Sequence, residues 1–362
     1  MPDIDRYLKV QVATEASDLH LSPGEQPVYR VSGSMVGVGE AGAKLSAEET
    51  ERMLREILPE RNAKELEEKA DTDFGYEQAD LGRFRVNVFR DRLGMGGVFR
   101  HIASKILTLE DLGMPPVLAE LCELNKGLVL ITGPTGCGKT TTVAAMIDRI
   151  NRSRSDHIIT IEDPIEFVHK SVRCLIDQRE VGVHASSFRR ALRAALRQDP
   201  DIVMIGEMRD LETTETAITT AETGHLVIGT LHTTTASSSI DRMIDQFPAE
   251  RQEQIRSMLS QSLAAVVSQT LLRRPGGGGR VAALEILIGT PAVANQIREA
   301  KTHQLPSAMQ VGQRHGMRLL NDDLQRLVRE GAADPKDAYY KAVDKPDMAN
   351  RLRAMGHEVG SH

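Results

Sequence analysis

The amino-acid sequence predicts an α/β protein in two parts: an N-terminal α+β unit, then a larger unit built on a mostly parallel sheet. Three observations carry this. Short alternating runs dominate up to about residue 105. Apolar strand-like runs then alternate with helix-like stretches from Leu128 to Leu231, the signature of βαβ units. A glycine-rich loop sits between one such run and the helix-like stretch that follows it.

The elements follow in order. Leu19-His-Leu21 and Val28-Tyr-Arg-Val31 read as short strands separated by Ser22-Pro-Gly24. Ser46-Ala-Glu-Glu49 has the form of a capping box and opens a helix over Glu48 to Leu58. A charge-rich helix follows from Pro59 to Ala70. Phe84-Arg-Val-Asn-Val-Phe89 alternates as a half-buried strand does, Asp91-Arg-Leu-Gly94 supplies a turn, and Gly97 to Ile102 pairs back. A small sheet with helices on one face satisfies this pattern. Residues 1–105 are expected to form one domain, 106–118 a linker with a Pro115-Pro116 stop, and 119–362 a second domain. In the latter, strands are expected at Leu128–Thr132, His157–Ile161, Ile202–Ile205 and Leu226–Leu231, with a hairpin-like segment over Val172–Val183. Helices are expected at Thr141–Asp148, Ser187–Arg197 and from Leu211. Beyond Ser237 the chain reads as mainly helical, apart from a flexible loop at Gly276–Gly279 and a strand over Val281–Ile288.

The most specific motif is Gly133-Pro134-Thr135-Gly136-Cys137-Gly138-Lys139-Thr140, which Thr141 follows. It is G-x-x-x-x-G-K-[ST] in its required context, after a strand and before a helix. Glycines let successive backbone N–H groups turn inward on phosphate oxygens, and the helix N-terminus adds partial positive charge. Lys139 is expected on the β and γ phosphates and the Thr140 hydroxyl on Mg²⁺. ATP and Mg²⁺ are the implied cofactors.

Hydrolysis also needs an acid near the metal and a group that orients water. Two carboxylates stand at the carboxyl ends of buried strands, the edge where open α/β sheets bind ligands: Glu162, with Asp163 and Glu166 in support, and Glu207. Glu162 is expected to polarise water, on the expectation that its strand lies beside the phosphate-loop strand. Glu207 is expected to hold Mg²⁺ through water. The two roles could be exchanged. His225 and His232 bracket the strand Leu226–Leu231, at its opposite ends. Their placement does not suit a metal pair. One of them could report the γ-phosphate, His225 being the catalytic candidate, or each could be an ordinary hydrogen-bonding histidine. Arg83, Arg85, Arg90, Arg92 and Arg100 lie on or beside the N-terminal strands. They are either solvated strand edges or, for one or two of them, fingers reaching a nucleotide on a neighbouring subunit.

Composition narrows the classes. The net charge is −6, tryptophan is absent and aromatics make up 3%, so neither a broad basic surface nor a base-stacking platform is expected, and no nucleic-acid partner. No apolar run approaches the roughly 20 residues that span a bilayer, so membrane insertion is not expected. The N-terminus lacks the pattern of a secretory signal. Cys122, Cys137 and Cys174 form no C-x-x-C pair, and a reducing cytoplasm is the natural compartment.

These motifs together resemble the secretion-ATPase superfamily and, within it, the type IV pilus retraction motors. The resemblance rests on Ala16-Ser-Asp-Leu-His-Leu21, Arg83-Phe-Arg-Val-Asn-Val-Phe89, the phosphate loop, Thr160-Ile-Glu-Asp-Pro-Ile-Glu-Phe167, Leu196 to Asp210, Ala221-Glu-Thr-Gly-His-Leu226 and Thr230-Leu-His-Thr233. It covers nearly the whole chain. It implies a PAS-like N-terminal domain and a RecA-like P-loop domain with a helical C-terminal part, assembled as a homohexamer, with ATP between the domains. It carries Arg85 and Arg100 over as the site-closing arginines. It implies an ATPase at the cytoplasmic face of the inner membrane, acting on a platform protein and indirectly on pilin, to drive retraction and twitching motility. An accessory retraction ATPase and an extension or type II secretion motor are the same-class alternatives. A nucleotide-gated ring with little hydrolysis is the alternative from another class. Extension and secretion motors typically carry a longer N-terminal extension and a four-cysteine zinc module, and this sequence shows neither, which favours retraction. Two departures stand out. Cys137 and Thr140 occupy positions where the family usually has serine, and a lowered Cys137 thiol pKa is expected among loop N–H dipoles. Ala292-Val-Ala-Asn-Gln-Ile-Arg298 lacks the first arginine of the retraction motors' helix.

Overall fold

The structure, a computed structural model, describes residues 2–31, 34–37, 44–102, 106–277 and 279–358. Gly278, inside the expected glycine loop, lies outside the described residues. The chain divides into two compact units, Met1–Lys105 with Pro164–Val168, and Ile106–Asp163 with His169–His362.

The first unit runs α1 (Asp5–Ala13), β1 (Asp18–Leu21), β2 (Val28–Val31), β3 (Ser34–Gly37), α2 (Ala47–Ile57), α3 (Glu60–Lys69), β4 (Asp71–Gln78), β5 (Gly82–Asp91) and β6 (Gly94–Ile102). The six strands form one antiparallel sheet in the order β3-β2-β1-β6-β5-β4. Both arms of the capping box form at α2: Glu49 N–H donates to Ser46 Oγ at 3.1 Å, and Ser46 N–H to Glu49 Oε2 at 2.8 Å. On β5 the alternation resolves as Phe84, Val86 and Val88 facing one core. Leu8 of α1, Leu54 of α2 and Leu66 of α3 enter that same core, so all three helices cover one face. The expected helix and strand pattern holds, and α1, β3 and β4 are additions to it. β4 escapes the pattern because Asp71, Thr72 and Asp73 open it with polar residues.

The second unit contains α4 (Pro116–Leu121), β7 (Gly127–Thr132), α5 (Lys139–Ser153), β8 (His157–Glu162), β9 (Leu175–Glu180), α6 (Phe188–Ala195), β10 (Ile202–Ile205), α7 (Leu211–Glu222), β11 (Leu226–Leu231), α8 (Ala236–Asp245), α9 (Ala249–Ser262), β12 (Leu263–Arg273) and β13 (Arg280–Ile288). The helices α10 (Pro291–Arg298), α11 (Leu305–Val311), α12 (Leu320–Arg329), α13 (Pro335–Lys341) and α14 (Lys345–Ala354) complete it. Its seven strands lie in the order β13-β12-β7-β11-β10-β8-β9, all parallel except β13. Successive β7 residues serve opposite cores. Leu128 and Leu130 pack with α6 to α9, and Val129 and Ile131 with α4 and α5. This is the expected mostly parallel sheet with helices on both faces.

Three local expectations are corrected. Pro115-Pro116 starts a helix rather than ending a segment: Pro116 is the first residue of α4, where its missing N–H costs nothing. Residues 172–183 form no hairpin. Leu175–Glu180 is one edge strand parallel to β8. The region after Ser237 is not mainly helical until β13 ends, because β12 spans eleven residues directly after α9.

The C-terminal helices dock on β13 through a buried acid. Asp323 accepts from Leu284 N–H at 2.9 Å and pairs with Arg326 at 2.9 Å and with Arg318. Removing the carboxylate leaves a buried strand N–H without a partner, at a cost of about 1–3 kcal/mol. Asp323→Ala should therefore lower the thermal midpoint of the protein by several degrees. An unchanged midpoint would refute that role for Asp323.

Candidate functional site

The phosphate loop leaves β7 at Thr132, on the carboxyl edge of the parallel sheet. Gly133 has φ of 144°, and a Cβ there would lie 2.3 Å from Gln269 O and 2.6 Å from Cys137 Sγ, so only glycine fits. Gly138, at φ 89°, turns the chain into α5. The residue before α5, Gly138, has no side chain to cap the helix, and the Cys137 thiol stands by the Lys139 N–H. An uncapped helix start behind a glycine cradle is a preformed anion site. Lys139 Nζ donates to the carbonyls of Gly133 at 2.8 Å and Pro134 at 3.2 Å, which folds it over the loop. Thr140 and Thr141 are half-buried at the start of α5.

Beside the loop stands a chain of polar contacts. His232 follows β11, the strand hydrogen-bonded to β7. Its Nδ1 lies 3.5 Å from Thr135 Oγ1 in the loop, and its Nε2 is 3.0 Å from Glu207 Oε1. Glu207 follows β10, and the segment around it is laid against β11: Thr230 Oγ1 donates to Gly206 O, and Met208 N–H donates to Thr230 O at 3.1 Å. Arg209 pairs with Glu207 at 2.7 Å. Partial burial opposes ionisation of Glu207, but the Arg209 hydrogen bond and charge, with His232, outweigh it and hold the carboxyl below its ordinary range. It is an anion at neutral pH, as a metal-holding acid must be.

Two expectations of placement are corrected, the strand neighbour of Glu162 and the end of β11 that carries His225. Glu162 does end β8 at the same edge, but β8 is not beside β7, since β11 and β10 stand between them. At about 4.8 Å per strand that separates the two strands by about 14 Å. Its buried carboxylate accepts from Thr160 Oγ1 at 2.6 Å and from Gln178 Nε2 at 3.1 Å. Adjacency to the loop strand therefore gives Glu162 no claim on the attacking water. His225 lies at the amino end of β11, where its carbonyl accepts from Gly127 N–H and its Nδ1 meets Thr220 O at 3.2 Å. A six-residue strand, about 20 Å long, separates it from the loop, so the reporting position falls to His232. Cys137 also corrects an expectation. Burial pushes its thiol pKa up, against the opposing pull of Lys139, so it is not an activated thiolate.

Arg85 and Arg100 are direct cross-strand partners on β5 and β6, with Asp18 and Arg30 next in the same row across β1 and β2. The row lies on the sheet face turned away from the helices, since Phe84, Val86 and Val88 take the other. Arg100 pairs with Asp18 at 2.9 Å, and Arg85 lies 3.7 Å from Asp73. Each arginine thus already has a carboxylate partner within the sheet.

Several residues of the site carry no sequence motif. Gln269 on β12 donates from Nε2 to Cys137 O at 2.7 Å. Ser268 Oγ lies 2.8 Å from Thr132 Oγ1, which accepts from Ser239 Oγ at 3.4 Å, and Ser239 Oγ lies 2.6 Å from Thr233 Oγ1. The signal that could have found them is a polar triplet, Ser268-Gln269-Thr270, inside an otherwise apolar run, because buried polar side chains need partners.

Any metal here must come with a ligand that supplies most of its coordination. Among the described residues, no cluster of three or more His, Cys, Asp or Glu could hold an ion alone. The loop, the half-buried Thr140 hydroxyl and an ionised Glu207 fit a Mg²⁺-triphosphate, in which phosphates and water fill most positions.

Fold and loop define a phosphate-loop protein with a parallel sheet and a separate antiparallel N-terminal unit. Residues 1–342 match the family model described as type II/IV secretion system protein, and the chain belongs to that family. It is 50% identical over 340 residues to the type IV pilus retractation ATPase PilT of Pseudomonas aeruginosa, covering 94% of this chain and 98% of that protein. It is 38% identical to the type IV pilus ATPase PilU of the same organism, covering 98% and 91%. A crystal structure of the pilus retraction motor PilT with bound ADP superposes with a TM-score of 0.88 at 44% identity, covering 94% of this chain and 97% of that one.

His169 adds a pH dependence close to Glu162. Its backbone N–H donates to Gln178 Oε1 at 2.7 Å, and Gln178 in turn donates to Glu162. Burial pushes the His169 ring down to about 4 from 6.5, against attraction by Asp148. The folded state thus binds fewer protons than the unfolded chain between these values. The stability contributed by the neutral ring is complete above about pH 6.5 and is lost as pH falls toward 4. His169→Gln should lose less thermal stability than the parent between pH 7 and about 4.5. Equal acid sensitivity in the two proteins would count against this.

Proposed function

We propose that this chain is an ATP-hydrolysing motor that drives retraction of type IV pili. The reading is carried by the phosphate cradle of Gly133–Thr140 with an ionised Glu207 tied through His232 to the loop residue Thr135. The choice of retraction rests on the greater identity to the retractation ATPase PilT than to the type IV pilus ATPase PilU. Gly133 to Thr141 would bind the triphosphate, and Lys139 would exchange its carbonyl partners for β and γ phosphate oxygens. Bound Mg²⁺ would supply positive charge against the negative charge that develops on the phosphates. Thr140 would ligate it directly and Glu207 through water. His232, bonded to both Thr135 and Glu207, is placed to register an occupied loop. With Glu162 hydrogen-bonded to Thr160 and Gln178, the next carboxylate after β8 in the same unit that could orient the attacking water is the exposed Asp163.

We read the first unit as the PAS-like domain, residues 106–118 as the connector and the remainder as the RecA-like ATPase domain. In a homohexamer, Arg85 and Arg100 would close the nucleotide site. The motor would act at the cytoplasmic face of the inner membrane on a platform protein, and through it on pilin. Among the described residues no helix is long and apolar enough to cross a membrane.

Lys139→Ala and Glu207→Gln should each lower steady-state phosphate release by about 10²–10³-fold. Glu207→Gln should still bind ADP within a few-fold of the parent, because its partner is the metal and not the diphosphate. Full turnover in Glu207→Gln would remove Glu207 from the site. In cells, deleting the gene should abolish twitching while increasing surface pili. Loss of pili would assign the chain to extension, and normal twitching with intact piliation would assign it an accessory role.

A further inference from the structure

We propose that Gln269 is a positioning residue that sets the binding shape of the phosphate loop. The inference rests on the nucleotide reading of that loop. β7 ends at Thr132, paired with Ser268, while β12 continues to Arg273. The overrun, Gln269 onward, forms a wall alongside the loop. Three contacts join Gln269 to the loop and the helix behind it. Its backbone carbonyl lies where a Gly133 Cβ would be. Its Nε2 donates to Cys137 O at 2.7 Å, and a Cβ on Gly138 would come within 2.9 Å of that nitrogen. Its Oε1 accepts from Thr142 Oγ1 at 2.8 Å in the first turn of α5. The side chain is 4% exposed, so all of this takes place away from solvent.

The consequence follows from peptide geometry. In a planar trans peptide, C=O and N–H point in opposite directions. Holding the Cys137 carbonyl outward on Gln269 turns the Gly138 N–H away from β12, toward the hollow of the loop. The Cys137 carbonyl fixes which end of the carboxamide is which: it can only accept, so it takes the NH₂, and Oε1 is left to accept from the Thr142 hydroxyl. An apolar residue could fill the same volume but could not orient that peptide. The two β12 neighbours thus divide the work, Ser268 holding the end of β7 and Gln269 the loop itself.

The test is ADP affinity by calorimetry, with KM and kcat for ATP, on the full chain and three variants. Gln269→Glu keeps size and the Thr142 contact but sets a carboxylate oxygen against Cys137 O. Its Kd for ADP should rise about tenfold or more. KM should rise with it while kcat stays within about twofold, since the loop binds ground and transition states alike. Gln269→Leu should behave similarly. Thr142→Val, nearly isosteric, frees the carboxamide to rotate and should weaken ADP binding about threefold. A lowered melting temperature with unchanged Kd in all three variants would reduce Gln269 to a core residue and overturn the proposal. If Gln269→Leu does not fold, Gln269→Glu and Thr142→Val decide on the same criterion. Failure of the unmodified chain to bind ADP would overturn the nucleotide reading itself, and the inference with it.

Discussion

The close approach of β12 to the start of the phosphate loop is the constraint on which the rest depends. Gln269 O occupies the space of a side chain at Gly133, so the loop can leave β7 only with glycine there. That contact seats the loop against a wall of the sheet instead of leaving it a mobile connection. Around it, Thr132, Ser239 and Ser268 satisfy one another's hydroxyls at the end of β7, and α5 begins without a side-chain cap. A rigid floor and an unsatisfied helix start are complementary: the first fixes the N–H groups and the second leaves them available.

Strand order then selects which acids and histidines can serve this loop. Parallel pairing brings the carboxyl ends of β7, β11, β10 and β8 to one edge, but not at equal distances. β11 touches β7 and contributes His232. β10 touches β11 and contributes Glu207. β8 is one strand further out, and its terminal Glu162 is consumed by Thr160 and Gln178. The result is a graded row from loop to histidine to glutamate to arginine. In it the ionised state of Glu207 is secured by Arg209 and His232 against the pull of burial.

Much of this was legible in the sequence, because the legible features are local. The capping box at Ser46, the alternation of Phe84 to Phe89, the phosphate loop and the buried strands ending at Thr132, Ile205 and Leu231 depend on near neighbours in the chain. What was illegible depends on strand order or on unpunctuated joins. Nothing in the local pattern of His157–Glu162 tells that two later strands will insert between it and β7. β12 follows α9 with no glycine or proline between them, so its apolar run reads as more helix. With β12 unseen, Gln269 and Ser268 had no reason to be linked to a loop more than a hundred residues earlier. The Cys137 thiol departs from expectation for a related reason. Loop dipoles are visible in a motif, whereas the burial that raises its pKa is tertiary.

The most direct measurement is a structure of the full chain with Mg²⁺ and a non-hydrolysable ATP analogue. The expected result is a triphosphate lying across Gly133–Thr140, Lys139 Nζ transferred from the Gly133 and Pro134 carbonyls to phosphate oxygens, and Glu207 on the metal side. A triphosphate bound away from the carboxyl edge of β7, or Lys139 still held by its two carbonyls with the analogue present, would contradict the assignment of ATP hydrolysis to this loop.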